Sequence, residues 1–117
     1  MFKIINGDIH ITRGDKMGIR LKVKNGFSKN DKIKFSVVNK KDYSKVLLQK
    51  IFIVDKDCET YTIYFTNDDT RFIDIISKPV TNWYEIEING QTPYGYDENG
   101  SKNLILYPEA PDKGDEV

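Results

Sequence analysis

The sequence predicts an all-β domain, either a sandwich or a small barrel. About seven short segments alternate apolar and polar side chains with a two-residue period, and turn signals separate them. Four of the eight glycines directly follow an asparagine, a pair that suits tight turns with positive φ. No stretch convincingly supports a long helix. A chain of 117 residues is long enough for one domain with its own core.

The stretch from Asn82 to Asn89 shows the sharpest alternation in the chain. It places an apolar set of side chains on one side and two glutamates on the other. The apolar set is Tyr84, Ile86 and Ile88, and the glutamates are Glu85 and Glu87. We expect the apolar set to face the core and Trp83 to be partly exposed beneath a loop.

The other strands are predicted from weaker alternation and from the turn residues between them. They are residues 4–5 with 8–12, 18–24, 32–39, 46–54, 59–66 and 103–107. The tripeptide Arg13-Gly14-Asp15 resembles an integrin ligand, but its place between two strands indicates a turn. Residues 67–74 could form one short helical turn capped by an asparagine or aspartate. Residues 91–102 are predicted to be a loop.

The strand at residues 46–54 is almost continuously apolar, so its inner face is open to two assignments. One face carries Leu48, Lys50 and Phe52, and the other carries Leu47, Ile51 and Ile53. We expect the second set to face the core because this choice leaves Lys50 outside.

No residue pattern points to catalysis, a cofactor or a bound metal. The single histidine, His10, has no serine or cysteine motif around it, and acidic neighbours of the single cysteine, Cys58, disfavour a reactive thiolate. The acidic turns at 55–59 and 97–100 lack the ligand spacing of a calcium loop, which leaves calcium as a minor alternative. We expect no enzyme activity, and we expect Cys58 to be dispensable in an exposed turn.

The chain shows no sign of export or membrane insertion. One cysteine cannot form an internal disulfide, so nothing indicates an oxidising compartment. The N-terminal residues contain no long apolar run, so neither a signal peptide nor a transmembrane span is expected. These observations predict a soluble protein made in the cytosol. We also expect a domain at residues 1–108, followed by an acidic, flexible tail at 109–117.

Charge is balanced over the whole chain but divided along it. The 18 lysines and arginines equal the 18 acidic residues, which argues against a general nucleic-acid or membrane-surface binder. Residues 16–50 contain eleven basic residues and two aspartates, a net charge of +9. Residues 55–117 contain five basic and fourteen acidic residues, a net charge of −9.

Two tyrosines, Tyr94 and Tyr96, flank Gly95 in the loop predicted at residues 91–102. Tyrosines on such a loop can stack on a sugar or fill a pocket of a partner. They can also simply cover the open end of a sandwich. Both interpretations remain open, and the two residues are candidates for partner binding.

The order of several short segments resembles one family of phage proteins. The segments are residues 9–15 before the strand at Gly18, residues 30–37, the turn at residues 66–70 and the aromatic strand at residues 83–88. They resemble the small Ig-like domains of tail and baseplate proteins of phages and prophages of Gram-positive bacteria, including the N-terminal domain of upper baseplate proteins.

The resemblance implies an Ig-like antiparallel sandwich that acts as a non-catalytic assembly or docking module of a virion. Its expected partners are other phage structural proteins, in homo-oligomers or mixed assemblies, without membrane or nucleic acid. The alternative is a carbohydrate-binding or host-surface-binding module that acts on cell-wall glycans through Tyr94, Tyr96 and Trp83.

An Ig-like topology places the predicted strand at 32–39 beside the strand at 80–89. Lys32 and Lys34 should then face Glu85 and Glu87 and cancel part of the charge division. The second strand belongs to the opposite sheet, and its outward residues should form an uncancelled basic strip. These residues, the candidate docking surface for a partner or a second copy, are Arg20, Lys22 and Lys24.

Overall fold

The computed structural model describes residues 1–94 and 102–110, and it describes residues 93 and 94 by their backbone. Nine strands and no helix occur in this part of the chain. The strands are β1 (Phe2–Ile5), β2 (Asp8–Thr12), β3 (Met17–Phe27), β4 (Lys32–Val38), β5 (Val46–Ile53), β6 (Cys58–Phe65), β7 (Val80–Ile88), β8 (Gln91–Tyr94) and β9 (Asn103–Tyr107). Consequently, no helix long and apolar enough to cross a membrane is found among these residues.

The strands form two sheets of unequal size. The large sheet has the order β1-β2-β9-β7-β4-β5, and β8 pairs with the end of β7. The small sheet contains only β3 and β6. The β2–β9 pair is parallel, and the other pairs are antiparallel. The pairing of β3 with β6, of β4 with β7, and of β7 with β9 is the pairing expected of an Ig-like sandwich.

The core lies between the sheets and is joined by an aromatic cluster. Phe35 of β4 packs edge-on against Phe65 of β6, with ring centroids 4.8 Å apart. The same Phe35 ring stacks on Tyr84 of β7 at 5.7 Å. Phe52 reaches Phe65 from β5 at 5.7 Å. Phe65 belongs to the small sheet and the other rings belong to the large sheet, so these contacts connect the two sheets.

Asn-Gly pairs make the tight turns that the sequence predicts. Asn6 and Gly7 have φ of 50° and 87°, and they join β1 to β2. Asn89 and Gly90 have φ of 50° and 82°, and they join β7 to β8. Positive φ at both central residues is the geometry of a two-residue hairpin turn. The second turn explains why residues 91–94, predicted as loop, form a strand instead.

The alternation of β7 is confirmed. Tyr84 and Ile86 are buried, and Glu85 and Glu87 lie on the outer face. Trp83 is half-buried beneath the loop that follows β4, where the Tyr43 ring lies 5.0 Å from it. The expectation of a partly covered tryptophan is therefore also confirmed.

The assignment of the inner face of β5 was wrong. Ile51 and Ile53 are 50% and 53% exposed, whereas Phe52 packs against the core. Register explains the result, because β5 pairs Phe52 with Ile33 and Lys50 with Phe35, both core residues of β4. Lys50 can occupy this face because its aliphatic stem packs on the core while its ammonium reaches a polar partner.

Three further expectations need correction. Residues 67–70 form a turn closed by the Arg71 N–H and the Asp68 carbonyl at 3.0 Å, not a helical turn. The strand β3 continues to Phe27, three residues beyond its predicted end at Lys24. Cys58 does not lie in an exposed turn. It opens β6 opposite Phe27 and is half-buried against the core.

The Tyr84 hydroxyl offers a test of how the first hairpin is held to the body of the domain. It donates a hydrogen bond to the Gly7 carbonyl at 2.6 Å. We expect Tyr84→Phe to lower the free energy of unfolding by about 1 kcal/mol, measured by urea denaturation. Tyr64→Phe, at a position 68% exposed, is the control and should change stability by less than about 0.5 kcal/mol. Equal stability of both variants would contradict a stabilising role of this bond.

Candidate interaction surface

The predicted basic strip occupies the outer face of the small sheet. Arg20, Lys22 and Lys24 are all exposed on β3. Register places Thr62 of β6 opposite Arg20, and Thr60 opposite Lys22. The alternation of apolar and basic residues in β3 produces this arrangement, because the apolar residues of the same strand face the core. The sheet therefore presents three cations beside a row of threonines.

An exposed tyrosine, which the sequence did not single out, extends this face. Tyr64 is 68% exposed and pairs with Gly18 in the β3–β6 register. A Cβ atom at Gly18 would lie only 3.0 Å from the Tyr64 ring, so the glycine leaves room for the ring to lie over the strand. The alternation of β6 predicts that Tyr64 faces outward. Its position over a glycine depends on the register between two strands that are distant in sequence.

The other end of the strip borders a cavity of about 590 Å³. Lys22 and Lys24 line one part of it, and Asp57 and Glu59 line another. The lining charges are mixed, so the cavity does not extend the basic strip as a site for anions. Asp57 also accepts a hydrogen bond from the Lys29 N–H at 2.8 Å.

The acidic turns and the single histidine do not form a site in the described residues. No group of three or more histidine, cysteine, aspartate or glutamate side chains is placed to hold a metal within residues 1–94 and 102–110. The second acidic turn, 97–100, lies outside these ranges. The His10 Nδ1 atom lies 2.8 Å from the Tyr107 hydroxyl, and the two rings stack. The histidine therefore has a structural partner on the adjacent strand.

The aromatic loop stays a prediction. The backbone of Tyr94 belongs to β8, where it pairs with Ile86. Tyr96 lies outside the described residues. The backbone of Tyr94 thus belongs to the large sheet, whereas the basic strip lies on the small sheet.

The Arg13-Gly14-Asp15 turn is docked into the domain. Gly14 is buried, with φ of 88°, and its N–H donates to the Thr70 hydroxyl at 3.0 Å. Arg13 donates to the Ile73 carbonyl at 2.8 Å and forms an ion pair with Glu109 at 3.4 Å. These contacts support the interpretation of the tripeptide as a turn.

Part of the charge division cancels inside the large sheet, as expected. Lys34 lies opposite Glu87 in the β4–β7 register, and their charged atoms are 2.7 Å apart. The hydrogen bond from Lys34 to Glu87, together with the charge of that glutamate, raises the pKa of Lys34 above its usual range. Glu85 lies opposite Ser36 rather than a lysine. The predicted pairing thus forms at one of its two positions.

A second internal pair connects β5 to the turn after β6. The Lys50 ammonium is 2.5 Å from the Asp69 carboxylate and 3.1 Å from the Tyr64 carbonyl. Burial raises the pKa of the Asp69 carboxyl. The hydrogen bonds from Lys50 and from the Thr66 N–H outweigh that effect and hold the pKa below its usual value of 3.8. The charged form of Asp69 is therefore stabilised in the folded state.

The lowered pKa of Asp69 predicts a pH dependence of stability. A carboxyl with a lower pKa in the folded state stabilises the protein above its unfolded pKa, and this contribution disappears as the pH falls through the folded pKa. We expect Asp69→Asn to lower the free energy of unfolding by about 1 kcal/mol at pH 7. The difference from wild type should shrink as the pH falls below about 4.

Urea denaturation at pH 7, 4 and 2.5 measures this dependence. Asp68→Asn is a matched control because that neighbouring side chain is 96% exposed and forms only a 3.6 Å surface pair with Arg71. A stability difference for Asp69→Asn that stays constant over the whole pH range would contradict the prediction.

A scan against protein-family models, a search of curated proteins and a search of solved structures find no match to this chain.

Proposed function

We propose that the chain is a non-catalytic assembly module, a structural protein of a phage or prophage tail or baseplate. The support is the order of the sequence segments that resemble such domains, together with a sandwich that presents a charged sheet face. In this proposal the protein functions in the virion, and its partners are other structural proteins of the particle.

The basic strip is the observation that carries the docking part of this proposal. Arg20, Lys22 and Lys24 are exposed together on one sheet face, and Thr62 and Thr60 of β6 lie opposite Arg20 and Lys22. A row of like charges on a regular sheet favours an acidic partner surface, which it attracts before contact and orients on contact.

Charge reversal of the strip tests this proposal. We expect Arg20→Glu, Lys22→Glu and Lys24→Glu together to leave the fold intact and to abolish binding to the structural proteins encoded beside this chain. Binding is measured at low salt, where exposed charges are least screened, by titration calorimetry against each purified neighbour. Circular dichroism and urea denaturation check the fold of the variant.

The control is a triple reversal elsewhere on the surface. Lys3→Glu, Lys29→Glu and Lys78→Glu change three exposed lysines, so the net charge falls by the same amount. This variant should bind like wild type. If the strip variant binds as tightly as wild type, or if both variants lose binding equally, the strip is not the docking surface. Metabolic genes around this one would oppose the phage assignment itself.

A second candidate function is binding of a cell-wall glycan, and one observation favours it. Tyr64 lies exposed over Gly18 on the same face as the strip, with the Thr62 side chain beside it. An exposed aromatic ring next to hydroxyl and cationic groups can stack on a sugar ring while the polar groups donate and accept hydrogen bonds. Tyr64 offers such a platform within the described residues.

Glycan binding predicts a specific loss on removal of the tyrosine ring. Tyr64→Ala should reduce binding to purified cell walls or to a glycan array at least tenfold, while Tyr64→Phe keeps the stacking surface and most of the binding. Tyr94→Ala, in the aromatic loop, is the parallel test of that region. Wild-type protein that does not bind any cell-wall fraction or array glycan would eliminate this function.

A further inference from the structure

The sandwich leaves several strand edges open. Within the described residues, β1 and β5 end the large sheet, and β3 and β6 each have one partner in the small sheet. An open edge presents unpaired N–H and C=O groups to any other strand. Proteins therefore protect such edges with charges, prolines, bulges or very short strands.

Three of these edges carry a recognisable protection. The strand β1 has only four residues. The strand β3 carries the basic strip and has an irregular register after Lys22. The strand β6 begins beside Asp57 and Glu59, and its outer face is mainly threonine.

The edge of β5 is less protected, because its one irregularity in register lies between Val46 and Leu48, outside the segment 49–53. Its eight residues, Val46–Ile53, contain no proline or glycine, and Ile51 and Ile53 are half exposed on its outer face. Lys50 is its one charged residue, and the Lys50 ammonium is held against the body of the domain by Asp69 and the Tyr64 carbonyl. A strand of this length, with three β-branched residues and its one charged side chain held within the domain, is suited to pair with another strand.

The charges at the two ends of β5 identify the partner strand. The loop before it, residues 39–45, carries three lysines and one aspartate, a net charge of +2. The segment after it, residues 55–59, ends with the first two residues of β6 and carries three acidic residues and one lysine, a net charge of −2. A second copy of β5 in antiparallel orientation places each basic end beside an acidic end, whereas a parallel copy places like charges together.

We propose that β5 pairs antiparallel with β5 of a second copy of this chain and joins the two large sheets across a twofold axis. When Ile51 faces Ile51 of the other copy, Gln49 faces Ile53, and Lys50 faces Phe52 instead of the other Lys50. The same register places Lys45 near Asp57. None of these cross-strand pairs brings like charges together, and a twofold contact closes at two copies.

Introduction of a charge into the β5 edge tests this dimer. The full chain should sediment at twice its 13.6 kDa mass at high concentration, and Ile51→Lys should sediment as a monomer under the same conditions. Ile75→Lys is the control, because Ile75 is 86% exposed and lies outside the strands. It should stay dimeric, as should the triple reversal of the basic strip. A monomeric wild type, or an Ile51→Lys variant that dimerises like wild type, overturns the proposal.

A charge exchange tests the antiparallel orientation. Lys45→Glu alone places a carboxylate beside the acidic residues of the other copy, and Asp55→Lys alone places an ammonium group beside its Lys45, so each variant should dimerise at least tenfold more weakly than wild type. A mixture of the two variants restores unlike charges at both ends and should recover association. If the mixture associates no better than the separate variants, the strands are not paired in this way. The readout is oligomeric mass, so it is independent of the proposed docking of the strip.

Discussion

The contact between Phe35 and Phe65 is the constraint on which the rest of the sandwich depends. Phe65 belongs to the small sheet. Phe35 belongs to the large sheet, where it also stacks on Tyr84 in the neighbouring strand. A sheet of two strands cannot exist alone in water, so β3 and β6 are stable only while their apolar side packs on the large sheet. The outward residues of β3 are then free to be polar, and this is how the core determines where the basic strip lies.

Some charged residues are paired within the domain, and others lie on its surface. Lys34 and Lys50 come from the basic part of the chain, and their partners Glu87 and Asp69 come from the acidic part. The fold therefore brings the two halves together and cancels some of the division that the sequence shows. Two residues of the strip, Arg20 and Lys22, lie opposite threonines in the register of β3 with β6. The basic character of the first part of the chain therefore appears on the surface at positions such as the strip.

The sequence predicted most of the fold because two-residue alternation specifies a strand and its inner face. It succeeded for β7, where polar and apolar residues are chemically distinct, and for the Asn-Gly turns, whose backbone conformation few other residues adopt easily. It failed for β5 because Lys50 is amphipathic, and the large sheet accepts its stem. It also did not identify the position of Tyr64 over Gly18, because register between distant strands is decided by the whole core. The alternation predicted that the strip faces outward. It does not determine whether the strip binds a partner.

The proposed β5 pair and the proposed docking strip would act together. Residues that face each other in antiparallel strands lie on the same side of the sheet, so a twofold axis between two β5 strands runs perpendicular to the joined sheet. Both small sheets, which pack on the inner faces, then lie on the same side of the dimer. Two copies of the basic strip are presented in one direction, toward a common partner surface. If that surface repeats its acidic site, the second contact forms within one complex, and the dimer binds more tightly than two separate domains. A weak surface charge interaction can in this way support a stable assembly.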